Sequence, residues 1–209
     1  MGSTEDLTTR ARIRDAALAR FGAEGVDRAN LRAIAADAGV SPGLVIHHFG
    51  SKEGLRRACD EHVMAAIRGP DDDTAAWQDP ANLAGLLEAA APARRYLARA
   101  FVDNSAEVAA LYDEIVEVTQ AWLERGAREG WVRENTDPRT RAALYVTWLL
   151  APLILEEHLT RVLGTSDLHD TDTTLRYAGT AVEMLTHGVF TDERAVRAWD
   201  TARQQRGAR

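Results

Sequence analysis

The chain has little of what secreted or membrane-spanning proteins need. It contains one cysteine, Cys59, so no disulfide can form within the chain and nothing requires an oxidising compartment. The amino-terminal stretch is polar and charged, without the apolar segment of a signal peptide. The longest apolar run, residues 142–155, is shorter than the roughly 20 residues that span a bilayer, and Pro152 interrupts it. We therefore expect a cytoplasmic protein that does not enter a membrane.

A strongly basic surface is also missing, which argues against an extended nucleic-acid interface. The net charge of the 209 residues is −7. Between residues 1 and 67, nine basic side chains balance nine acidic ones, so the whole deficit lies in the remainder of the chain. Lysine occurs once, as Lys52. Any surface for nucleic acid must therefore be a small local patch.

Motifs of enzyme chemistry are scarce. Glu183 and His187 lie four residues apart on one predicted helix and could share a metal ion, and Glu157 and His158 form another polar pair. The sequence offers no third ligand with metal-site spacing, no glycine-rich phosphate loop and no nucleophile motif. It therefore predicts no enzyme, no cofactor and no metal site.

Helical periodicity covers nearly the whole chain, whereas strand-like alternation is rare, so the sequence predicts an all-α protein. Glycine, proline and capping side chains divide the chain into helices. Residues 68–80 contain glycine, two prolines and three consecutive aspartates, and predict a linker between a domain at 8–67 and a domain at 68–209. The predicted helices cover residues 9–24, 31–38, 42–49, 52–67, 82–90, 93–104, 106–129, 138–163, 173–189 and 192–206.

Residues 31–49 have the spacing of a helix-turn-helix unit. Ala35 is small where two helices approach, and Gly39, four residues later, suits a turn with positive φ. Ser41 predicts an N-cap, with Pro42 at the first helical position. The second helix of this unit, which is the third of the chain, is too weak to form through its own propensity, so the first and second helices of the chain must support it from behind. A supported helix with a free outer face is what insertion into a DNA major groove requires.

These residues resemble the amino-terminal DNA-binding domain of the TetR/AcrR family of transcription regulators. The resemblance covers about the first 60 residues, and the later stretch "HGVFTDE" is typical of actinobacterial members. It implies a three-helix DNA-binding domain followed by a helical domain for ligand binding and dimerisation. The matching residues are Arg10, Ile13, Ala16, Ala17, Phe21, Gly25, Ile34, Ala35, Ala38, Gly39, Val40, Ser41, Gly43, His48, Phe49, Lys52 and Leu55.

The resemblance also implies which residues meet DNA. Lys52, in the first turn of the fourth helix, is expected to contact a phosphate beside that helix's free N–H groups. Ile46 stands where the family usually has a tyrosine that touches a phosphate, so we expect that contact to be missing. The predicted DNA-binding residues are Asn30, Arg32, Ser41, Pro42, Gly43, Leu44, Ile46, His47, His48 and Lys52.

Two apolar helices predict a homodimer. The helix at 138–163 is apolar nearly all round, so it must be covered on several sides. The helix at 173–189 carries an apolar stripe that includes Val182, Leu185 and Val189. We expect both helices to pair with their symmetry mates, as the resemblance also implies. Two reading helices about 34 Å apart would then recognise a near-palindrome in double-stranded DNA.

Aromatic residues are concentrated after residue 68, and they indicate either a core or an apolar effector pocket. Glu156 and Glu157 interrupt an apolar helix, which favours a cationic or amphipathic effector; salt bridges with Arg161 are the alternative. The predicted effector-binding residues are Tyr96, Phe101, Tyr112, Thr119, Trp122, Trp148, Glu156 and His158.

Taken together, the sequence predicts a ligand-responsive transcriptional repressor. The homodimer would bind a palindromic operator, and a small apolar or amphipathic molecule would release it, with the fourth helix carrying the movement. A helical protein-interaction adaptor would account for the later helices. It would not account for the arrangement of Gly39, Ser41 and Lys52.

Overall fold

The computed structural model describes residues 4–68, 80–103 and 105–207; residues 69–79 of the predicted linker lie outside that part of the chain. The described residues form ten helices and no strand, so the predicted all-α class is confirmed. Two compact units result, Met1–Asp170 and Thr171–Arg209. The helices are α1 (Thr4–Glu24), α2 (Leu31–Asp37), α3 (Pro42–Phe49), α4 (Lys52–Arg68), α5 (Pro80–Asp103), α6 (Ala106–Glu129), α7 (Pro138–Ile154), α8 (Glu156–Leu163), α9 (Thr171–His187) and α10 (Arg194–Gly207).

Most helix ends lie where the capping residues predicted them. The side-chain oxygens of Asn30, Ser105 and Asp137 accept backbone N–H bonds at the starts of α2, α6 and α7. Gly130 and Gly164 end α6 and α8 in the left-handed conformation, with φ of 85° and 70°. These ends depend only on neighbours within one helical turn, which explains why the sequence predicts them.

The predicted break at Pro92 is wrong. Residues 82–90 and 93–104 were expected to form separate helices, but α5 continues through Pro92 from Pro80 to Asp103. A proline in a helix interior costs about 3 kcal/mol, because it lacks an N–H donor and crowds the preceding turn. Alanine-rich flanks favour the helix, and burial of Ala91, Tyr96 and Leu97 on either side of the proline stabilises it.

The predicted single helix at 138–163 is also wrong. It is divided at Leu155 into α7 and α8, which are bent by 72° relative to each other. Pro152 weakens the last turn of α7, and Glu156 and Glu157 then occupy the first turn of α8, where acidic side chains suit the helix dipole. The two glutamates therefore mark the start of a helix.

One hydrophobic core extends through the first unit and includes residues from α1 to α7. Ile13 and Phe21 of α1 are fully buried together with Ile34 of α2 and Val45 of α3. Burying a side chain of this size contributes about 1.5–3 kcal/mol, so the core supports α3 although that helix is only eight residues long. Support of the short helix from behind is confirmed.

The helices α1 and α5 approach each other closely at Gly22. A Cβ at that position would lie 3.1 Å from the backbone nitrogen of Tyr96 and 3.2 Å from two atoms of Arg95. These distances are shorter than ordinary van der Waals contact, so only glycine fits without a shift of the backbone. The ring of neighbouring Phe21 lies 6.3 Å from that of Tyr96.

The second unit consists of α9 and α10, and many of its apolar side chains are exposed. On and just after α9, Val182, Leu185 and Val189 are 61%, 42% and 62% exposed. Val196 and Trp199 of α10 are exposed as well. The stripe predicted on residues 173–189 thus faces outward within this unit.

Among the described residues, no single helix is long and apolar enough to cross a bilayer. The helices α7 and α8 reach that length and apolar character only when they are taken together, across the 72° bend between them. Four residues of α7 lie in the interior: Ala142, Val146, Leu150 and Leu153.

Gly22→Ala should lower the free energy of unfolding by about 1–3 kcal/mol, because the added methyl group pushes α1 away from α5. Gly85→Ala is the matched control, since a Cβ at that position in α5 would meet nothing within 4 Å. There the free energy of unfolding should rise by up to about 1 kcal/mol, because alanine favours a helix. Urea unfolding followed by circular dichroism measures both; similar changes in the two variants would contradict the steric explanation.

Candidate DNA interface and effector cavity

The helix α3 presents a free outer face. Its N-cap is Ser41, whose Oγ accepts a bond of 3.3 Å from the backbone N–H of Leu44. Gly39 precedes it with φ of 67°, the positive value that the turn was predicted to need. Val45 is fully buried, whereas Ile46 is 45% exposed. Ser41, Pro42, Gly43 and His47 are exposed too.

His48 points away from that outer face. Its side chain is only 7% exposed, and its Nε2 lies 3.6 Å from the Oδ1 of Asp6 in α1. Phe49, the next residue, is covered by the guanidinium of Arg10, which lies 5.3 Å from the ring centroid. These two contacts join the end of α3 to α1 and fix the angle at which α3 is presented.

Lys52 joins the start of α4 to the α1–α2 connection. Its Nζ donates hydrogen bonds to the backbone oxygens of Asp27, at 2.9 Å, and Ala29, at 3.4 Å. An ammonium group has three donors, so two carbonyl bonds leave one for a phosphate. The side chain therefore holds the connection in place and keeps one donor for the predicted phosphate.

Arg32 and Asn30 lie together at the start of α2. The Oδ1 of Asn30 accepts a bond of 2.8 Å from the backbone N–H of Arg32, so this oxygen is used for capping. The side chain of Arg32 is exposed. By contrast, Arg20 is bound at the other end of α2, with its Nε 2.5 Å from Asp37. Arg32 is therefore the more accessible of these two cations for a phosphate.

A buried polar contact ties α5 to α4. Tyr96 is 1% exposed, and its hydroxyl donates to the Oδ1 of Asp60 at 2.5 Å. Arg56 lies 3.1 Å from the other oxygen of the same carboxyl group. Burial raises the pKa of Asp60, while the bonds from Tyr96 and Arg56 favour its charged form. Burial also raises the pKa of Tyr96, so the hydroxyl keeps the proton that it donates.

Most of the aromatic residues that were predicted to bind an effector pack against other rings. The rings of Phe101 and Tyr112 lie 6.0 Å apart, and the hydroxyl of Tyr112 lies 2.9 Å from the Oγ1 of Thr147. Trp122 lies 5.0 Å from Trp131 and 6.1 Å from Tyr145. Ring pairs at these distances are typical of a packed interior.

The remaining predicted effector residues are dispersed. Thr119 is half-buried on α6, Trp148 of α7 is 56% exposed and His158 of α8 is exposed. Two cavities lie in the first unit, and Glu156 is the only one of the eight predicted residues that lines either of them.

The larger of these cavities has a volume of about 520 Å³ and lies between α1, α5, α7, α8 and the segment that follows α8. Its polar side carries Arg95, Arg99, Glu156, Glu157 and His169, and its apolar side is formed by alanine, valine, leucine and isoleucine side chains. Gly22 and Ala23, in the last turn of α1, form part of its wall.

Charges around this cavity are partly paired. Arg95 lies 2.7 Å from Asp167, which follows α8. His169 is 5% exposed, and its Nε2 lies 3.4 Å from Glu156. Burial, together with nearby Arg95 and Arg94, lowers the pKa of His169 despite the opposing effect of Glu156. Its imidazole is therefore neutral at pH 7.

A smaller cavity of about 210 Å³ lies between α4 and α6, and its lining includes Asp60 and Glu114. In the described part of the chain, no group of three or more histidine, cysteine, aspartate or glutamate residues could hold a metal ion.

Sequence reasoning missed the residues that join the helices. Asp60 follows buried Cys59 in α4 and has Arg56 four residues before it, which is a signal that could have been noticed. Gly22, Arg95 and His169 carry no local signal, because their importance depends on neighbours distant in sequence.

Two family models match the chain. The model "Bacterial regulatory proteins, tetR family" matches residues 13–59, which contain α2, α3 and part of α4. The model "Tetracyclin repressor-like, C-terminal domain" matches residues 88–191.

Similar proteins include the HTH-type transcriptional regulatory protein RaaS of Mycobacterium tuberculosis, which is 44% identical over 140 residues. That match spans 66% of each chain, just under two thirds of RaaS. The solved structure of the fatty acid degradation regulator FadR of Bacillus halodurans is 17% identical with a TM-score of 0.59, covering 90% of this chain and 98% of FadR. The structure of FadR of Bacillus subtilis in complex with stearoyl-CoA is 17% identical in sequence, with a TM-score of 0.55. That match covers 86% of this chain and 99% of the FadR chain. At these identities, the two structures show a shared fold.

Tyr96→Phe should lower the free energy of unfolding at pH 7 by about 1–3 kcal/mol, because Asp60 loses a buried donor. The loss should shrink as the pH falls towards the ordinary pKa of aspartate, since a protonated carboxyl needs that donor less. Tyr145→Phe is the matched control, because the Tyr145 hydroxyl is also largely buried but makes no hydrogen bond among the described residues. Chemical unfolding of both variants between pH 4 and 7 tests this; a loss independent of pH would contradict it.

Proposed function

The chain belongs to the tetR family of bacterial regulatory proteins, and we propose that it is a transcriptional repressor which a small molecule releases from DNA. Its relatives in this family are transcriptional regulators and not enzymes, and the Mycobacterium relative agrees with an actinobacterial origin. The observation that supports this proposal most directly is the position of α3. Its residue Val45 is buried in the core, and its outer face is exposed. In this proposal residues 8–67 bind DNA, residues 68–209 bind the effector and dimerise, and the protein acts in the cytoplasm.

The proposed DNA contacts divide into two kinds. Lys52 and Arg32 contact phosphates, which position the protein without reading sequence. On the outer face of α3, only Ser41 and His47 can form hydrogen bonds with base edges. Pro42, Gly43, Leu44 and Ile46 offer apolar contact alone, so thymine methyl groups and DNA shape would supply much of the specificity.

The proposed homodimer uses α7, α8 and α9. Leu144, Trp148 and Leu149 of α7 are exposed, and so is the stripe of Val182 and Leu185 on α9. Apolar patches of this extent mark surfaces that bind a partner. A two-fold dimer would place two α3 helices in successive major grooves of a near-palindrome.

The proposed release couples the effector domain to α3 through α5. Tyr96 joins α5 to α4, and α1 packs against α5 at Gly22. A shift of α5 would therefore move α1 and α4. The solved FadR structure with stearoyl-CoA supports a small-molecule effector. An effector that favours the wrong spacing of the two α3 helices would lower the affinity for DNA.

Selection of genomic fragments with purified protein, followed by binding at several salt concentrations, tests this function. A near-palindrome bound by a dimer is the expected result. Recovery of fragments that share no sequence and dissociate with modest salt would contradict operator recognition and favour the adaptor alternative.

Lys52→Ala should weaken binding to every DNA sequence and flatten the slope of log K against log salt by about one unit per half-site, because one phosphate contact is lost. Lys52→Arg is the control, since it keeps the charge. A loss confined to one DNA sequence would contradict the phosphate contact. Because Lys52 also bonds to Asp27 and Ala29, unfolding must be measured in parallel to establish that the variant is folded.

Leu185→Asp should convert the dimer to monomers, because a charge buried in an apolar interface costs several kcal/mol unless it is paired. Val196→Asp places the same charge on an exposed apolar position of α10, outside the proposed interface helices, and should leave the dimer intact. Light scattering after size exclusion measures both masses. An intact Leu185→Asp dimer would contradict the proposed role of α9.

A further inference from the structure

We infer that the effector site is the larger cavity, between α1, α5 and α8, and that its ligand is an amphipathic cation whose head group donates hydrogen bonds. This inference rests on the proposed ligand-responsive function and names the ligand class for it. The cavity of about 520 Å³ is large enough for a small organic molecule, and such sites combine apolar walls with a few polar groups.

Most of the aromatic residues first predicted to form the pocket already pack against other rings. Phe101 contacts Tyr112, and Trp122 contacts Trp131, whereas none of these four residues lines the larger cavity. A ligand placed among them would have to separate these ring pairs. The larger cavity needs no such opening.

The balance of charge in the larger cavity favours a cation. Two glutamates and two arginines line it, but Arg95 is already paired with Asp167. Glu157 forms no ion pair among the described residues. Glu156 faces His169, whose neutral imidazole does not cancel the negative charge. Neither glutamate is therefore paired with a permanent cation among the described residues, and a cationic head group would be attracted to both.

His169 indicates that the head group donates hydrogen bonds. With its Nε2 directed at Glu156, the neutral imidazole carries an acceptor at Nδ1. This atom is buried and has no hydrogen-bond partner among the described residues. An unpaired buried acceptor is costly, so a ligand N–H that reached it would remove the penalty. Protonated amines and amidinium groups carry such donors, whereas quaternary ammonium ions do not.

The apolar side of the cavity fits the rest of such a ligand. Ala98 and Val102 of α5 face Leu153 and Ile154 at the end of α7. Gly22 and Ala23 also line the cavity, and they belong to the helix that packs behind α2. A bound molecule would therefore touch the DNA-binding region directly, beside the close contact of α1 with α5 at Gly22.

Three probes with one apolar body and different heads test this site: phenylbutylamine, phenylbutanol and phenylbutanoate. Calorimetric titration of the full-length protein without DNA at pH 7 should show the amine binding about tenfold tighter than the other two. Glu157→Gln and Glu156→Gln should each weaken binding of the amine about five- to tenfold and leave binding of the alcohol unchanged. Glu117→Gln is the matched control, because Glu117 is exposed on α6 and does not line the cavity.

Each other outcome overturns the inference. Tightest binding of the carboxylate, lost in Arg99→Gln, would reverse the ligand class. Amine binding that is absent, or unaffected by both glutamate variants, would rule out this site. The titration contains no DNA, so it is independent of the operator measurement. If the protein binds its operator but not the amine, the proposed function still holds and only this inference is wrong.

Discussion

The close approach of α1 and α5 at Gly22 is the constraint on which the first unit depends. It brings the backbone of Tyr96 against α1, so that the ring lies beside Phe21 and the hydroxyl reaches Asp60 of α4. One side chain thereby links α5 to both α1 and α4. A larger residue at position 22 would open the core and remove a donor from a buried carboxyl. The presentation of α3 follows from this packing, because eight residues alone would not form a stable helix.

Several arginines form ion pairs with aspartates, so they do not add to a positively charged surface. Arg20 pairs with Asp37 of α2, Arg95 with Asp167 after α8, and Arg56 with Asp60 within α4, so these three arginines add little to an electrostatic field. Near α3, Lys52 and exposed Arg32 are the cations proposed to meet phosphates. A small patch of this kind agrees with the neutral balance of residues 1–67. Under the proposed function, recognition would therefore rely on the fit of an apolar helix face in the groove.

Two errors in the sequence-based prediction have different causes. Pro92 was expected to mark the start of a new helix and Glu156 to lie within one, but α5 passes through the proline and α8 begins at the glutamate. Local rules give each residue a preference worth roughly 1–3 kcal/mol. Burial of several neighbouring side chains contributes more free energy than that preference, so the helix continues through Pro92. At Glu156 the acidic pair was itself a helix-start signal that the apolar run had concealed.

The sequence alone determined the helices with strong caps and the helix-turn-helix spacing, because these depend on residues within about one turn of each other. Tertiary structure decided which aromatic rings fill the core, which carbonyls Lys52 binds and where a cavity remains. Arg95 and Asp167 meet across 72 positions of the chain, and Tyr96 and Asp60 across 36. Such contacts follow from how helices pack, and no local pattern of residues encodes the packing by itself.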